Sequence, residues 1–310
     1  MFLGIFFVVA ACACWGALFV VPKFVENFSP LEVALGRFFV YGLLSLIYLL
    51  ATKRHLLSGS YNKIWAKAFW LGLMSTFIGY TGLVICVRYA SAALGALIFG
   101  MSPITIPLYG NLVKREGSFR QFLVPGLLMV LGVILVNLDA LSLSSNSPLW
   151  YFVGVVGGFI GLFAWTWYTV ANFHFREKNP GLSTNDWVTM QGVTTFVLVI
   201  VIGGVVGLTA SDLEKYGLSS PQFHVFLAGS VVLGIVSSWV GFFLWNLGNL
   251  RLPMTFAGQL TVFEMIFGLV FVYVVEQRVP LPWELAGILV MLGGVLWAFK
   301  TLKKLSVSHG

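Results

Sequence analysis

The chain has 310 residues, of which 59% are hydrophobic and only 9% charged, with a formal net charge of +7. A soluble domain carries about 25% charged residues, so this chain cannot cover a globule in water. A mean hydropathy of +0.94 and recurring apolar runs of about 20 residues, each able to cross a bilayer as a helix, instead indicate a polytopic all-α membrane protein.

Two other classes fall at the same step. Transmembrane barrel strands alternate polar and apolar over about 10 residues, and no such alternation is present. The isoelectric point near 9.4 does not indicate nucleic acid, because the basic residues sit in short interhelical loops.

Charge clusters and Pro, Asn or Ser turns divide the chain into ten expected spans. The first, 3–21, lacks a basic leader and a small-residue cleavage site, so it reads as a retained helix and not a signal peptide. Cys12 and Cys14 lie within it and Cys86 in the third span, where packing explains them without a disulfide or metal site. The second to fifth spans are 31–51, 68–88, 91–110 and 120–138. The sixth to tenth are 149–172, 186–207, 223–247, 254–275 and 282–301. Short turns, "RYASAA" and "GNLRLP", follow the third and eighth and join antiparallel neighbours.

Basic residues fix an orientation. Thirteen Lys and Arg, among them Lys53, Lys114, Arg176, Arg251 and Lys304, fall on one side, against Lys23, Arg88, Lys215 and Arg278 on the other. The positive-inside rule then predicts that both termini are cytoplasmic.

The sequence also repeats. "PGLLMVLGVILV" from Pro125 matches "AGILVMLGGVLW" from Ala286, pairing Gly126 with Gly287 and Gly132 with Gly293. "VKREGS" aligns with "VVEQRV", pairing Glu116 with Glu276, and Trp15 pairs with Trp165. Two units, 1–145 and 146–310, follow, and an odd number of spans in each makes them inverted. Inverted repeats are typical of secondary transporters, which bind substrate near the midplane between the halves. Glu116 is then expected on the cytoplasmic side and Glu276 on the external side.

Several stretches resemble the EamA-like branch of the drug/metabolite transporter superfamily over almost the whole chain. They are "WG" in the first span, "GRF" (Gly36 to Phe38) in the second, "SPITIPLYGNLVKREG" and the glycine-rich fifth span. The resemblance implies a bacterial inner-membrane carrier that needs no ATP, cofactor or metal and moves small metabolites, often amino acids outward. The stretch from Ser147 through Asn172 is similar to aromatic amino acid exporters of this family. One departure stands out. The family's ninth helix carries a proline matching Pro103, whereas this chain reads "LTVFE" there and has no proline between Pro253 and Pro280.

The candidate site residues follow from depth. Glu264 is about ten residues from either end of its span, hence about 15 Å deep. A charge there costs at least about 2.5–3.5 kcal/mol on insertion scales, so it should face the bundle interior or a cavity. It is either a proton acceptor or ammonium ligand, or a neutral hydrogen-bond donor tying two helices together. Arg37, about two turns inside the second span, either clamps a carboxylate or snorkels outward. Together the two suit the ends of a zwitterion, or form a buried pair with no ligand.

Trp15, Tyr80, Trp165 and Tyr168, with Trp167, Trp239 and Trp245, are aromatic candidates on the expected cavity helices, and helix packing is the stronger explanation for any one of them. Asn246 and Gln259 are stronger candidates, because a buried amide needs partners. Gln191 occupies the position matching Arg37 in the second unit.

The expected partners are a small-molecule substrate, membrane lipids and protons, with no nucleic acid, and the assembly is a monomer or homodimer. No catalytic motif is present: "GVVGGFIG" follows no soluble strand, and His55, His174, His224 and His309 are scattered over loops and ends. Cationic drugs or phosphorylated metabolites are alternative cargoes, and a lipid-handling protein without transport is a further alternative.

Overall fold

The computed structural model describes residues 1–25, 27–90, 92–113, 119–136, 148–207, 217 and 219–308. Glu116, Lys114, Lys215, His309 and the boundary between the two expected units lie outside the described residues. Among the described residues the regular structure is helical, without a strand. Among the described residues eight helices are long and apolar enough to cross a membrane, and two more, Phe2–Gly16 and Leu123–Val136, are apolar but shorter.

In chain order the elements are α1 (Phe2–Gly16), α2 (Pro30–Thr52) and α3 (Gly59–Tyr89). The fourth expected span is two helices, α4 (Ala92–Phe99) and α5 (Ser102–Val113), followed by α6 (Phe119–Val136), α7 (Pro148–Lys178) and α8 (Thr184–Gly207). Then come α9 (Pro221–Asn249), the pair α10 (Met254–Leu260) and α11 (Val262–Glu276), and α12 (Pro282–Ser308).

Local chemistry sets several of these boundaries. Ser29 and Glu32 open α2 with a reciprocal capping box, Ser29 N–H donating to the Glu32 carboxylate at 2.8 Å and Ser29 Oγ accepting from Glu32 N–H at 3.3 Å. Ser220 caps α9 from one side only, its Oγ accepting from Phe223 N–H at 3.1 Å. Gln277, at φ 52°, ends α11 in the left-handed conformation.

Two spans are interrupted. Between α4 and α5, Pro103 lacks the N–H that would bond Phe99 O, and the Ser102 hydroxyl donates to that oxygen instead at 2.6 Å. The α10–α11 break at Thr261 has no proline. There the Thr261 hydroxyl donates to Gly258 O at 2.7 Å and its N–H turns back to the same oxygen at 3.4 Å. Loss of the regular ladder therefore does not depend on the family's proline.

α3 and α9 each contain a π-helical turn, Leu73–Gly79 and Leu233–Val240. Such turns are rare and concentrate at functional sites.

Packing joins elements distant in sequence: α2 lies on α8, α5 on α10 and α6 on α12. α1 packs on α9 and α11, as α7 packs on α3, α4 and α5. Glycine permits the closest approaches. A Cβ on Gly132 would stand 2.5 Å from Gly287 O and 2.5 Å from Met291 Cγ. A Cβ on Gly294 would likewise stand 2.9 Å from Pro125 O and 2.9 Å from Met129 Cγ. In both contacts a glycine of one helix meets a backbone oxygen and a methionine of the other. Gly293 itself meets nothing within 4 Å.

Candidate functional site

Residues of α1, α2, α9 and α11 meet in one layer. Gly16 lets α1 approach α11 so closely that a Cβ on it would meet Phe267 Cβ at 2.9 Å and Gly268 N at 3.0 Å. This contact brings Trp15 and Glu264 to the same level.

The π-helical turn of α9 presents two adjacent serines, Ser237 and Ser238, both fully buried. Trp15 Nε1 donates to Ser237 O at 2.8 Å, and Ser237 Oγ donates back to Cys14 O at 2.8 Å. Ser238 Oγ accepts from Arg37 Nε at 2.8 Å. One turn of helix thus holds α1 through an indole and α2 through a guanidinium.

Arg37 is buried, with 4% of its surface exposed, so it does not snorkel to the headgroups. Its guanidinium lies 4.7 Å from the Phe38 ring centroid and 5.7 Å from that of Tyr80, a cation–π arrangement. Glu264, half-buried in the first turn of α11, lies within electrostatic reach of Arg37 and of Cys12. Among the described residues no salt bridge joins Arg37 to Glu264.

The aromatic candidates form a continuous cluster. Trp15 meets Trp165 edge to face at 5.9 Å, Phe242 at 6.0 Å and Trp245 at 5.5 Å. Trp165 continues to Tyr168 at 5.3 Å, and Tyr41 and Tyr168 both meet Phe242. Gln191 Nε2 donates to the Tyr168 hydroxyl at 3.3 Å. Trp167 stands apart, beneath the Lys67 ammonium at 5.5 Å, and Trp239 packs on Tyr48.

Asn246 belongs to another arrangement. Its Oδ1 accepts from Asn172 Nδ2 at 3.0 Å and its Nδ2 donates to Phe242 O at 2.8 Å, while Asn172 Oδ1 accepts from Trp187 Nε1 at 2.8 Å. All three side chains are fully buried, and this relay ties α7, α8 and α9 together. Gln259 is fully buried in α10, the element that packs on α5.

Sequence reasoning missed Ser237, Ser238, Phe38, Tyr41 and Phe242. "VSSW" in an apolar helix was the available signal for the serines, since hydroxyl pairs at depth serve helix contacts. The phenylalanines and Tyr41 carry no signal distinguishing them from core.

The comparisons agree with this architecture. A family model described as the EamA-like transporter family matches residues 2–138. The chain is 28% identical over 310 residues to "Inner membrane protein YtfF" of Escherichia coli (strain K12), covering 97% of this chain and 96% of that one. It is 25% identical over 236 residues to "Uncharacterized transporter YyaM" of Bacillus subtilis (strain 168), covering 75% and 73%. A crystal structure of a protein 16% identical in sequence superposes with a TM-score of 0.78 over 97% of this chain and 98% of that one, a likeness of fold alone. The chain is a multi-pass membrane protein whose residues 2–138 match the model of the EamA-like transporter family.

Proposed function

We propose that the chain is a secondary carrier that exports small metabolites across the bacterial inner membrane by alternating access, coupled to protons. Amino acids with aromatic or related side chains are its cargo. It has ten spans arranged as two inverted five-span units, 1–145 and 146–310, with both termini cytoplasmic, and it works without cofactor as a monomer or homodimer.

The observation that carries this reading is Arg37 and Glu264. One comes from each proposed half, Arg37 is buried and Glu264 half-buried, and they lie within electrostatic reach without a salt bridge. Their charges suit the carboxylate and ammonium of a zwitterion. The repeat is supported by the matched α6–α12 contacts, by π-helical turns in α3 and α9, and by breaks before Ser102 and Val262. Interrupted helices at corresponding positions of two halves mark the binding site of inverted-repeat transporters. A cationic cargo would meet the Arg37 charge beside Glu264, and a phosphorylated one would find a single guanidinium there, so neither suits the layer as well.

The test is counterflow of labelled amino acids in proteoliposomes across pH, for wild type and Glu264→Gln. Wild-type exchange is expected to vary with pH and the variant's to be flat or absent in folded protein. Identical pH profiles would remove Glu264 from the coupling mechanism.

A further inference from the structure

We propose that the basic end of the α3–α7 pair binds an anionic phospholipid, its phosphate at Lys63 and Lys67 and its acyl chains along the apolar surface beneath them. The site belongs to the chain as a membrane protein and stands whatever the cargo.

Helical spacing builds it. Lys63, Lys67 and Trp70 lie at i, i+4 and i+7, within about 60° of one another round α3. On α7, Trp167 and Lys178 are about 20° apart round the helix, and Phe163 lies about 40° to the other side of Trp167. The two stripes meet where the Lys67 ammonium stands over the Trp167 ring, 5.5 Å from its centroid. α3 and α7 cross closely further along, where a Cβ on Gly82 would stand 2.5 Å from Gly157 O. At Lys67 the contact between them is made by long side chains instead.

The chemistry changes in order from the helix ends inward. Exposed Lys63 and Lys178 come first, then half-buried Lys67 with the two indoles, Trp70 and Trp167. Phe163 follows about 6 Å deeper than Trp167. Trp70 is 54% exposed and Phe163 62% exposed, so both present apolar surface to the bilayer. Cation, indole and apolar ring match the phosphate, ester region and acyl chain of a phospholipid.

Charge selects the headgroup. Among the described residues no acid pairs with Lys63 or Lys67. Of the acids at this end, Asp186 is held by Lys53 at 2.9 Å, and Glu177 lies about 100° round α7 from Lys178. The edge therefore offers its cations to an anionic headgroup. A zwitterionic headgroup brings its own ammonium to the same lysines and fits less well.

The test is native mass spectrometry of the purified full-length protein, titrated in detergent with dioleoylphosphatidylglycerol and dioleoylphosphatidylcholine. Wild type is expected to favour the anionic lipid at least about fivefold. Lys63→Gln with Lys67→Gln should bring that ratio to within about twofold of unity. The comparison is α12, where exposed Lys300 and Lys304 stand near an exposed Trp297 on a single helix; Lys300→Gln with Lys304→Gln should preserve the ratio. Equal losses in the two double variants would show a general basic edge and overturn the site, as would no preference in wild type. If the α3 double variant does not fold, Lys67→Gln alone decides: the ratio should at least halve, and an unchanged ratio overturns the proposal. Glycerol 1-phosphate should not displace the bound lipid; displacement would reassign the lysines to a soluble phosphate and overturn the lipid assignment.

Discussion

Asn246 offers the sharpest separation between a group that binds substrate and one that holds the bundle. Its amide is consumed internally: the oxygen by Asn172, the nitrogen by Phe242 O, with Trp187 completing the relay. Asn172→Ala removes two hydrogen bonds and leaves the Trp187 N–H and the Asn246 oxygen unpaired at fully buried positions. An unsatisfied buried group costs about 1–3 kcal/mol, which sets the loss at about 2–6 kcal/mol. Hydrogen bonds between membrane helices average about 0.6 kcal/mol, which pulls the expectation to the lower end, about 2 kcal/mol. Asn246→Ala orphans one donor, Asn172 Nδ2, and should cost about 1–2 kcal/mol.

The two changes share a bond, so the double variant should be less destabilised than the sum of the singles by at least about 0.5 kcal/mol. Reversible unfolding of purified protein in mixed micelles, titrated with a denaturing detergent, measures all four corners of the cycle. Substrate KM in the folded fraction should not move. Singles within about 0.3 kcal/mol of wild type, or strictly additive losses, would refute the relay. A raised KM in stable Asn246→Ala protein would return the residue to the substrate site.

Two further outcomes are expected. Gly294→Ala should destabilise by about 1–3 kcal/mol, because its Cβ would overlap Met129 and Pro125. Gly293→Ala, facing open space, should be close to neutral; a reversed order in thermal unfolding would reject this packing of α12 on α6. At the α11–α12 hairpin, Arg278 binds Glu284 bidentately at 2.7 and 2.9 Å and Glu276 at 2.7 Å. These carboxylates hold the Arg278 charge above its ordinary range. Arg278→Lys loses the fork geometry, and faster hydrogen exchange over 277–284 is the expected signature; unchanged exchange would show the clasp to be idle.

What the sequence made legible is what length and composition determine. Spans such as 31–51, 186–207 and 282–301 land on helices because an apolar run must pair its backbone internally in lipid. The break at Thr261 was hidden, since it uses a threonine hydroxyl in place of the proline that normally signals it. The π-helical turns were hidden for a related reason: an inserted residue changes hydrogen bonding without changing composition. Which of the consecutive glycines Gly293 and Gly294 faces α6 was hidden, because the two are indistinguishable in sequence. For the site, depth singled out Arg37 and Glu264. Which aromatic rings they meet depends on crossings that periodicity does not encode.

The proposed repeat gives those two residues a meaning that neither has alone. In the paired segments "MSPIT" and "LTVFE", Thr105 is the counterpart of Glu264, and Gln191 is the counterpart of Arg37. Both counterparts are neutral and already engaged: Thr105 pairs with Thr166 at 2.9 Å, and Gln191 donates to Tyr168 at 3.3 Å. Hydroxyl and amide contacts therefore suffice to join the helices at these positions, without the cost of at least about 2.5 kcal/mol that each charge carries at membrane depth. A bundle that needed only adhesion would use the neutral solution twice. On this reading the charged version survives at one of the two positions because a substrate with ionic ends binds there. Glu264→Gln combined with Arg37→Gln then removes transport while sparing the fold, and unfolding of the double variant by more than about 3 kcal/mol would make the pair structural.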